Sequence, residues 1–378
     1  MNIIVIGAGL AGAAVAHALA ERGCQVTALD AAASAHSSAP SSSLPAALMA
    51  PHHGAADNSI TQLSRLGTAA TLQAALTLLV QGQDWQPCGA LQRAGKLGPQ
   101  ARWFGDAAWV KPAALVAAWL AHPRITLRSG AQVASLRKDA TTACWQAIDS
   151  HHDVIGQADA VVLANSFGAQ ALLAGLQSTD GDALLPPFAH SQVSHLPLHQ
   201  VAGQVAYGPW TPQWQALWPQ LLPELASHTN SSQICAINGN GHFIPAIPWQ
   251  GQTIWLSGST YEHDAPHAPQ VTAQGIASNL QRLQQLIPAA VDVLAAQHQA
   301  GLIQGWAGTR CTTRDRLPLV GAVSEADAPG LYVCTAMGSR GLSFAAVCGQ
   351  HLADQVLGKT NSLLYRPLAH SIHPARFA

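Results

Sequence analysis

The chain begins with a short β-branched run, Ile3 to Ile6, that leads into Gly7-Ala8-Gly9-Leu10-Ala11-Gly12 and then an alanine-rich segment ending at Gly23. A second apolar run closes on Asp30. Strand, glycine turn, helix and strand form one βαβ unit. In such a unit Gly7 permits the tight turn, Gly9 lets backbone approach a pyrophosphate, and Gly12 lets the helix sit close to the strand. The N–H groups at the helix start, from Leu10 and Ala11 onward, face the diphosphate with a partial positive charge. Asp30, 23 residues after Gly7, is placed to accept both hydroxyls of a ribose. The turn specifies a dinucleotide but does not separate NAD from FAD.

A second glycine loop near the other end does. Gly338-Ser339-Arg340-Gly341 follows an apolar strand and precedes a helix beginning near Leu342. A helix N-terminus aimed back into the domain stabilises the negative charge of a reduced flavin, a need that a nicotinamide does not have. Two strand-to-helix glycine turns therefore bracket a middle region of different texture, rich in Pro, Trp, His and Gln. The expected fold is α/β: a discontinuous Rossmann-like FAD-binding domain with an inserted β-sheet-rich substrate domain. Residues 1–85, 111–180 and 301–378 are expected in the first, and 86–110 and 181–300 in the second. Helical spacing marks residues 61–80 and 111–122, strands of a small meander mark 125–139 and 144–148, and residues 158–165 read as a further buried strand. Residues 31–56 read as loop.

Composition narrows the function. Hydrophobic residues make up 48% and charged residues 10%, with a formal net charge of -1. This supplies a large core and argues against a strong general grip on nucleic acid or an anionic membrane. Seven scattered cysteines without a Cys-x-x-Cys pair read as a reduced, cytoplasmic chain without disulfides or a zinc knuckle. Neither a cleavable leader nor an apolar run long enough to span a bilayer is expected. The paired histidines, His52 with His53 and His151 with His152, read as solvated rather than as a metal site. The tryptophans read first as core, with stacking on a nucleobase as the other possibility.

Several stretches carry a resemblance: GTRCTTRDRLPLVG, LYVCTAMGSRGLSFA, VAGQV, WVKPAAL and the tail IHPARF. They resemble, in order and over nearly the whole chain, the FAD-dependent C-terminal domain of the bifunctional tRNA 5-methylaminomethyl-2-thiouridine biosynthesis proteins. The broader relatives are flavoproteins of the D-amino-acid oxidase and glycine oxidase type. The resemblance implies bound FAD and oxidative removal of a carboxymethyl group from an aminomethyl side chain of a wobble uridine, by hydride transfer to the flavin and imine hydrolysis. It further implies flavin contacts at Ser42, Ser43, Ala47, Leu48 and Met49, in a segment whose letters, SAPSSSLPAALMAP, depart from the family's glycine-rich version, and a further cofactor contact at Val133. The bifunctional proteins carry an N-terminal methyltransferase domain, so a separate methyltransferase is a candidate partner. Two alternatives stand beside the tRNA reading: an oxidase of free glycine- or sarcosine-type amines, and a flavin-loaded partner with little activity of its own.

Arg310, Arg314 and Arg316 lie within seven residues of a chain holding 18 Lys plus Arg. A planar guanidinium grips a carboxylate through two parallel hydrogen bonds. By resemblance, Arg310 and Arg340 match the positions that hold the substrate carboxylate. Arg314 and Arg316 are expected to brace their turn against Asp315. Tyr261 is read either as a hydroxyl donor to substrate or as a rim or core tyrosine.

Overall fold

The computed structural model describes residues 1–32, 41–51, 57–93, 101–139, 141–178, 196–221, 234–263, 269–359 and 364–377. Ile3, Ile4 and Val5 are almost inaccessible, as a strand covered on both faces must be. β1 (Asn2–Ile6) pairs in parallel with β2 (Gln25–Asp30) on one side and with the Ala160–Leu163 strand on the other. Ile125–Ser129 extends the sheet beyond β2, and Leu331–Thr335 followed by antiparallel Leu319–Ala322 completes six strands. Ile125–Ser129 corrects the sequence reading, which placed it in the meander. Gly130, at φ 72, turns the chain out of the parallel sheet, with its N–H on the Ala32 carbonyl. Ser135–Lys138, Trp145–Ile148 and Val154–Ala158 then form the meander.

Three helices follow early strands: α1 (Leu10–Glu21), α2 (Ser59–Leu78) and α3 (Pro112–Leu120). Asn58 caps α2 by accepting from the Thr61 N–H, and Pro112 starts α3 where its missing N–H costs nothing. The Gly341–Val356 helix has thirteen of its sixteen residues buried, the signature of a helix enclosed on nearly all sides. It lies so close to α1 that a Cβ on Gly349 would meet the Ala14 backbone at 2.7 Å. Arg22, just past α1, pairs with Asp354 at 2.8 Å. The two ends of the chain thus fold into one layer.

The other layer is an eight-stranded, mainly antiparallel sheet. Its long central strand, Leu198–Pro209, is paired along ten residues with Gln304–Thr313. Gln304–Thr313 falls in a range expected with the FAD-binding segments, yet its ladder hydrogen bonds make it a member of this sheet. One face is sealed by the amphipathic Ala273–Leu286 helix and by Trp210, Trp214, Trp218, Phe243 and Trp255, all buried. These tryptophans are core. Gln204 anchors that face: its side-chain amide exchanges hydrogen bonds with the Thr272 backbone, and Asn279 donates to the Gln204 carbonyl at 2.8 Å. The opposite face, with Val205, Ile244, Ile254 and Leu256, packs with Trp109 and meets Leu44 and Leu48 of the first layer.

The turn after Gln304–Thr313 differs from expectation. Asp315 is held by the C-terminal tail, not by Arg314 or Arg316. Arg376 reaches both its oxygens, Nε to Oδ2 at 2.8 Å and Nη2 to Oδ1 at 3.2 Å. The Thr313 hydroxyl and Leu317 N–H also donate to Oδ1. Burial alone would raise the Asp315 carboxyl, but Arg376 and these donors together hold it below its ordinary value. Arg376→Ala also removes donors to the Leu317 and Pro318 carbonyls. A loss of about 2 kcal/mol is expected, read as a lower midpoint in urea. An unchanged midpoint rejects the latch.

Candidate active site

At the carboxyl ends of the parallel strands the glycines of the first turn divide by what they do. Gly7, at φ 95, would carry a Cβ 2.8 Å from the Ala164 carbonyl, and a Cβ on Gly12 would lie 1.8 Å from the Gly7 oxygen. The fold itself demands both. Gly9 is different: its φ is -73°, and a Cβ there would touch only the Ser42 Oγ at 3.4 Å, an ordinary contact. The protein alone does not require glycine at this position, whereas a pyrophosphate laid against the backbone does.

Around this turn, Ser42 Oγ accepts from the Leu10 N–H at 3.2 Å, and Ala11 follows in the first turn of α1. Asp30 accepts from Ala8 N–H at 2.6 Å and Ala32 N–H at 2.8 Å. A carboxylate has about four acceptor positions, so acceptor capacity remains for ribose hydroxyls. The half-buried Val133 follows a segment whose Gly130 and Ala131 N–H groups bond the Ala32 and Asp30 carbonyls. Asn165, beside Gly7, has a buried Oδ1 with no hydrogen-bond partner among the described residues. Sequence reasoning missed Asn165, because an asparagine after a strand carries no pattern of its own.

The second turn meets the first. Gly341 would put a Cβ 3.2 Å from Leu10 Cδ1, and Leu342 is buried beside Leu10, Ala13 and Met49. Gly338, at φ 57, lies against Thr312, whose Oγ1 is 3.2 Å from where a Cβ would sit. Ser339 is exposed in the same turn. Ser43 Oγ accepts from Trp306 Nε1 at 3.0 Å, and the Ser41 hydroxyl donates to the Thr309 carbonyl, so this short turn ties the layers together. Ala47–Met49 pairs with Ala108–Val110. Met49 is 1% exposed with its side chain in the core, which leaves its backbone as the part able to meet a ligand. Ala47 and Leu48 are half-buried.

Arg310 lies on the face of the antiparallel sheet that meets the first layer. Its guanidinium rests over Gly203, where a Cβ would be 2.1 Å from Nη1. Nη2 donates to Ser259 Oγ at 2.7 Å, and Nη1 makes long contacts with the Ala202 and Thr260 carbonyls. The Tyr261 ring, 57% exposed, stacks 4.6 Å from Arg310 Cζ. No carboxylate pairs with Arg310 among the described residues. Burial lowers its pKa, opposed by Tyr261. Arg340 is half-buried, lowered by burial and then by Arg316, and its guanidinium makes no ion pair among the described residues. Ser259 and Thr260 were missed in the sequence, since their role comes from strand pairing far along the chain.

His242 sits directly opposite Gly258, and Gly258 opposite Val205. Cross-strand partners share a face, so His242 faces the same side as Val205. Its buried Nε2 has no hydrogen-bond partner among the described residues. Burial, then the Arg310 charge, pushes the imidazole from 6.5 down to about 4. The unfolded chain therefore takes up this proton before the folded protein does. The associated stability is fully present above pH 6.5 and is lost as pH falls towards 4. The loss is about 3 kcal/mol once the site is protonated. His242→Phe is expected to flatten the fall in Tm over that window, and an unaltered pH dependence contradicts the assignment.

His52 and His53 lie outside the described residues. His151 and His152 lie in an exposed turn around Asp149.

A mostly parallel sheet carrying two glycine turns, with an antiparallel sheet closing over their ends, defines a two-layer dinucleotide-dependent oxidoreductase. The sequence matches the family described as FAD dependent oxidoreductase over residues 2–103 and 94–355. The chain belongs to that family, and its cofactor is FAD. The bifunctional tRNA 5-methylaminomethyl-2-thiouridine biosynthesis protein of Albidiferax ferrireducens is 41% identical over 94% of this chain and 55% of its own length. Its counterpart in Thiobacillus denitrificans is 32% identical over 100% of this chain and 59% of its own. The chain thus spans little more than half the length of these curated relatives. In fold it is similar to glycine oxidase from Geobacillus kaustophilus, with TM-score 0.70, 17% identity and 97% of each chain covered. It is also similar to an iminodiacetate oxidase from Chelativorans, with TM-score 0.69, 19% identity and 98% of each chain covered. The residues present fit FAD: Gly9 leaves room at the backbone, Asp30 keeps acceptor capacity, and Asn165 offers an orphaned Oδ1. Among the described residues no helix is long and apolar enough to cross a membrane.

Proposed function

We propose that the protein oxidises a secondary amine bearing a carboxymethyl group, the carboxymethylaminomethyl side chain of a wobble uridine in tRNA. The observation that carries this is Arg310, a half-buried guanidinium braced by Ser259 and Tyr261 without an acidic partner among the described residues. Bound FAD supplies the acceptor for a hydride leaving the carbon between the amine and the carboxylate.

The chain's own residues position that carbon. Arg310 holds the carboxylate through two parallel hydrogen bonds, with Arg340 beside it. Ser259 and the Ala202 and Thr260 carbonyls keep the fork from rotating. Holding the donor carbon in one geometry supplies up to about 7–11 kcal/mol of the barrier. The amine reacts neutral, and His242, uncharged at neutral pH, adds no positive charge against it. Water then cleaves the imine to glyoxylate and a primary amine, on which a methyltransferase, joined or separate, would act next. Gly7, Gly9, Leu10, Ala11, Gly12, Asp30 and Val133 hold the adenosine diphosphate end in this reading. Ser42, Ser43, Ala47, Leu48, Met49 and Gly338–Leu342 hold the flavin end. We assign residues 1–85, 111–180 and 314–378 to the FAD domain, and 301–313, which carry the Gln304–Thr313 strand, to the substrate domain with 86–110 and 181–300. Seven free cysteines fit a reducing compartment such as the cytoplasm.

The formal net charge of -1 and four lysines favour a second reading, an oxidase of free glycine- or sarcosine-type amines. Supplying the FAD-loaded protein with tRNA carrying the modified uridine, and separately with glycine and sarcosine, decides between them. Loss of the carboxymethyl group from tRNA without turnover of the free amines is the expected result. Turnover of the free amines alone rejects the tRNA substrate.

A further inference from the structure

We propose that Arg316 is a phosphate-binding residue at the rim of the site, holding a phosphodiester of the RNA while Arg310 holds the carboxylate. This rests on the tRNA reading above. Asp315 is taken up by Arg376, the Thr313 hydroxyl and the Leu317 N–H. The arginines on either side of it are exposed, and neither guanidinium has a hydrogen bond or ion pair among the described residues. Arg316 adopts φ 62, an uncommon conformation for a residue with a side chain, in a turn pinned by the tail. Gly338 touches Thr312 just before this turn, which brings the Gly338–Arg340 turn alongside it.

Arg316 acts electrostatically on Arg340, and Tyr261 acts on both Arg340 and Arg310. Arg310, Thr312 with the Gly338–Arg340 turn against it, and Arg316 follow one another along the strand and its turn, a line from the part-buried sheet face to the exposed rim. Three like charges along this line, with no ion pair to an acid among the described residues, repel one another in the free protein. A free amino acid brings one carboxylate to this line, and its ammonium adds a further positive charge. A nucleotide within RNA brings the carboxylate and, at its other end, phosphodiesters. The local line also reconciles an RNA substrate with a near-zero net charge, because the cations stand where the substrate enters rather than across the surface.

The test uses FAD-loaded protein and an RNA stem-loop with carboxymethylaminomethyl uridine in the loop, with binding followed by fluorescence anisotropy across a salt series. Arg316→Gln is expected to lower affinity about tenfold at low salt and to reduce the slope of log K against log salt by about 0.7, one phosphate contact on a single strand. Arg124→Gln makes the same charge change on an exposed residue at the opposite end of the parallel strands, and its slope is expected to match the parent. Equal shifts in both variants, or none in Arg316→Gln, overturn the rim contact while the RNA reading stands. A parent protein that does not bind the stem-loop yet oxidises free N-carboxymethyl amines overturns both.

Discussion

Arg310→Lys is expected to lower kcat/KM about a hundredfold while flavin absorbance in the visible stays that of the parent. Lysine keeps the charge but loses the fork. One charge-assisted hydrogen bond disappears, worth about 1.5–3 kcal/mol, and each 1.36 kcal/mol is about tenfold in rate. Arg310→Ala removes both bonds and the charge, and about a thousandfold is expected. Gly203→Ala reaches the same end without touching the arginine. Its new Cβ would fall 2.1 Å from Nη1, so the guanidinium must leave its seat beside Ser259. A fall in kcat/KM of about tenfold or more is expected. Binding of a small carboxylate inhibitor, followed through the flavin spectrum, should weaken in step across the three variants. Wild-type kinetics in Arg310→Ala would reject the clamp, and loss of flavin from all three would move Arg310 from substrate to cofactor.

What could be read in the sequence was whatever local geometry imposes. Gly7 and Gly12 are visible because a turn at φ 95, and a helix so close that a Cβ would lie 1.8 Å from the Gly7 oxygen, tolerate nothing else. The strand of Asp30 and the late Gly338–Leu342 turn are local in the same way. VAGQV was visible as a motif, but its meaning was not. Gly203 clears a seat for a residue 107 positions later, and Gln204, facing the other way, ties down the Ala273–Leu286 helix. The sequence offers Asp315 the two arginines that adjoin it, while the better geometry comes from Arg376, 61 residues on. The place of Ile125–Ser129 is hidden in the sequence for a related reason. Its apolar alternation is as compatible with a meander as with an edge position, and pairing with β2 is settled by the chain fold, not by the strand's own letters.

Gly9→Ala and Gly12→Ala should separate cofactor binding from folding. In Gly12→Ala the added methyl overlaps the Gly7 oxygen at 1.8 Å. α1 must move off the strand, and overpacking of this kind costs about 1–3 kcal/mol. The protein stripped of FAD is therefore expected to melt earlier, and the displaced α1 N-terminus to bind FAD poorly. In Gly9→Ala the methyl has space, at 3.4 Å from Ser42 Oγ, and φ -73 suits alanine. Replacing glycine at a compatible conformation even reduces unfolded-chain entropy, by about 0.4–1 kcal/mol. The stripped Gly9→Ala protein is thus expected to melt at or slightly above the parent. Its FAD affinity nonetheless falls, by about tenfold to a hundredfold, because the methyl occupies the approach of the pyrophosphate to the backbone. Differential scanning calorimetry of stripped protein and fluorescence titration with FAD give the two quantities separately. If Gly9→Ala binds FAD as tightly as the parent, the diphosphate does not lie over this turn, and the N-terminal glycines serve the packing of α1 alone.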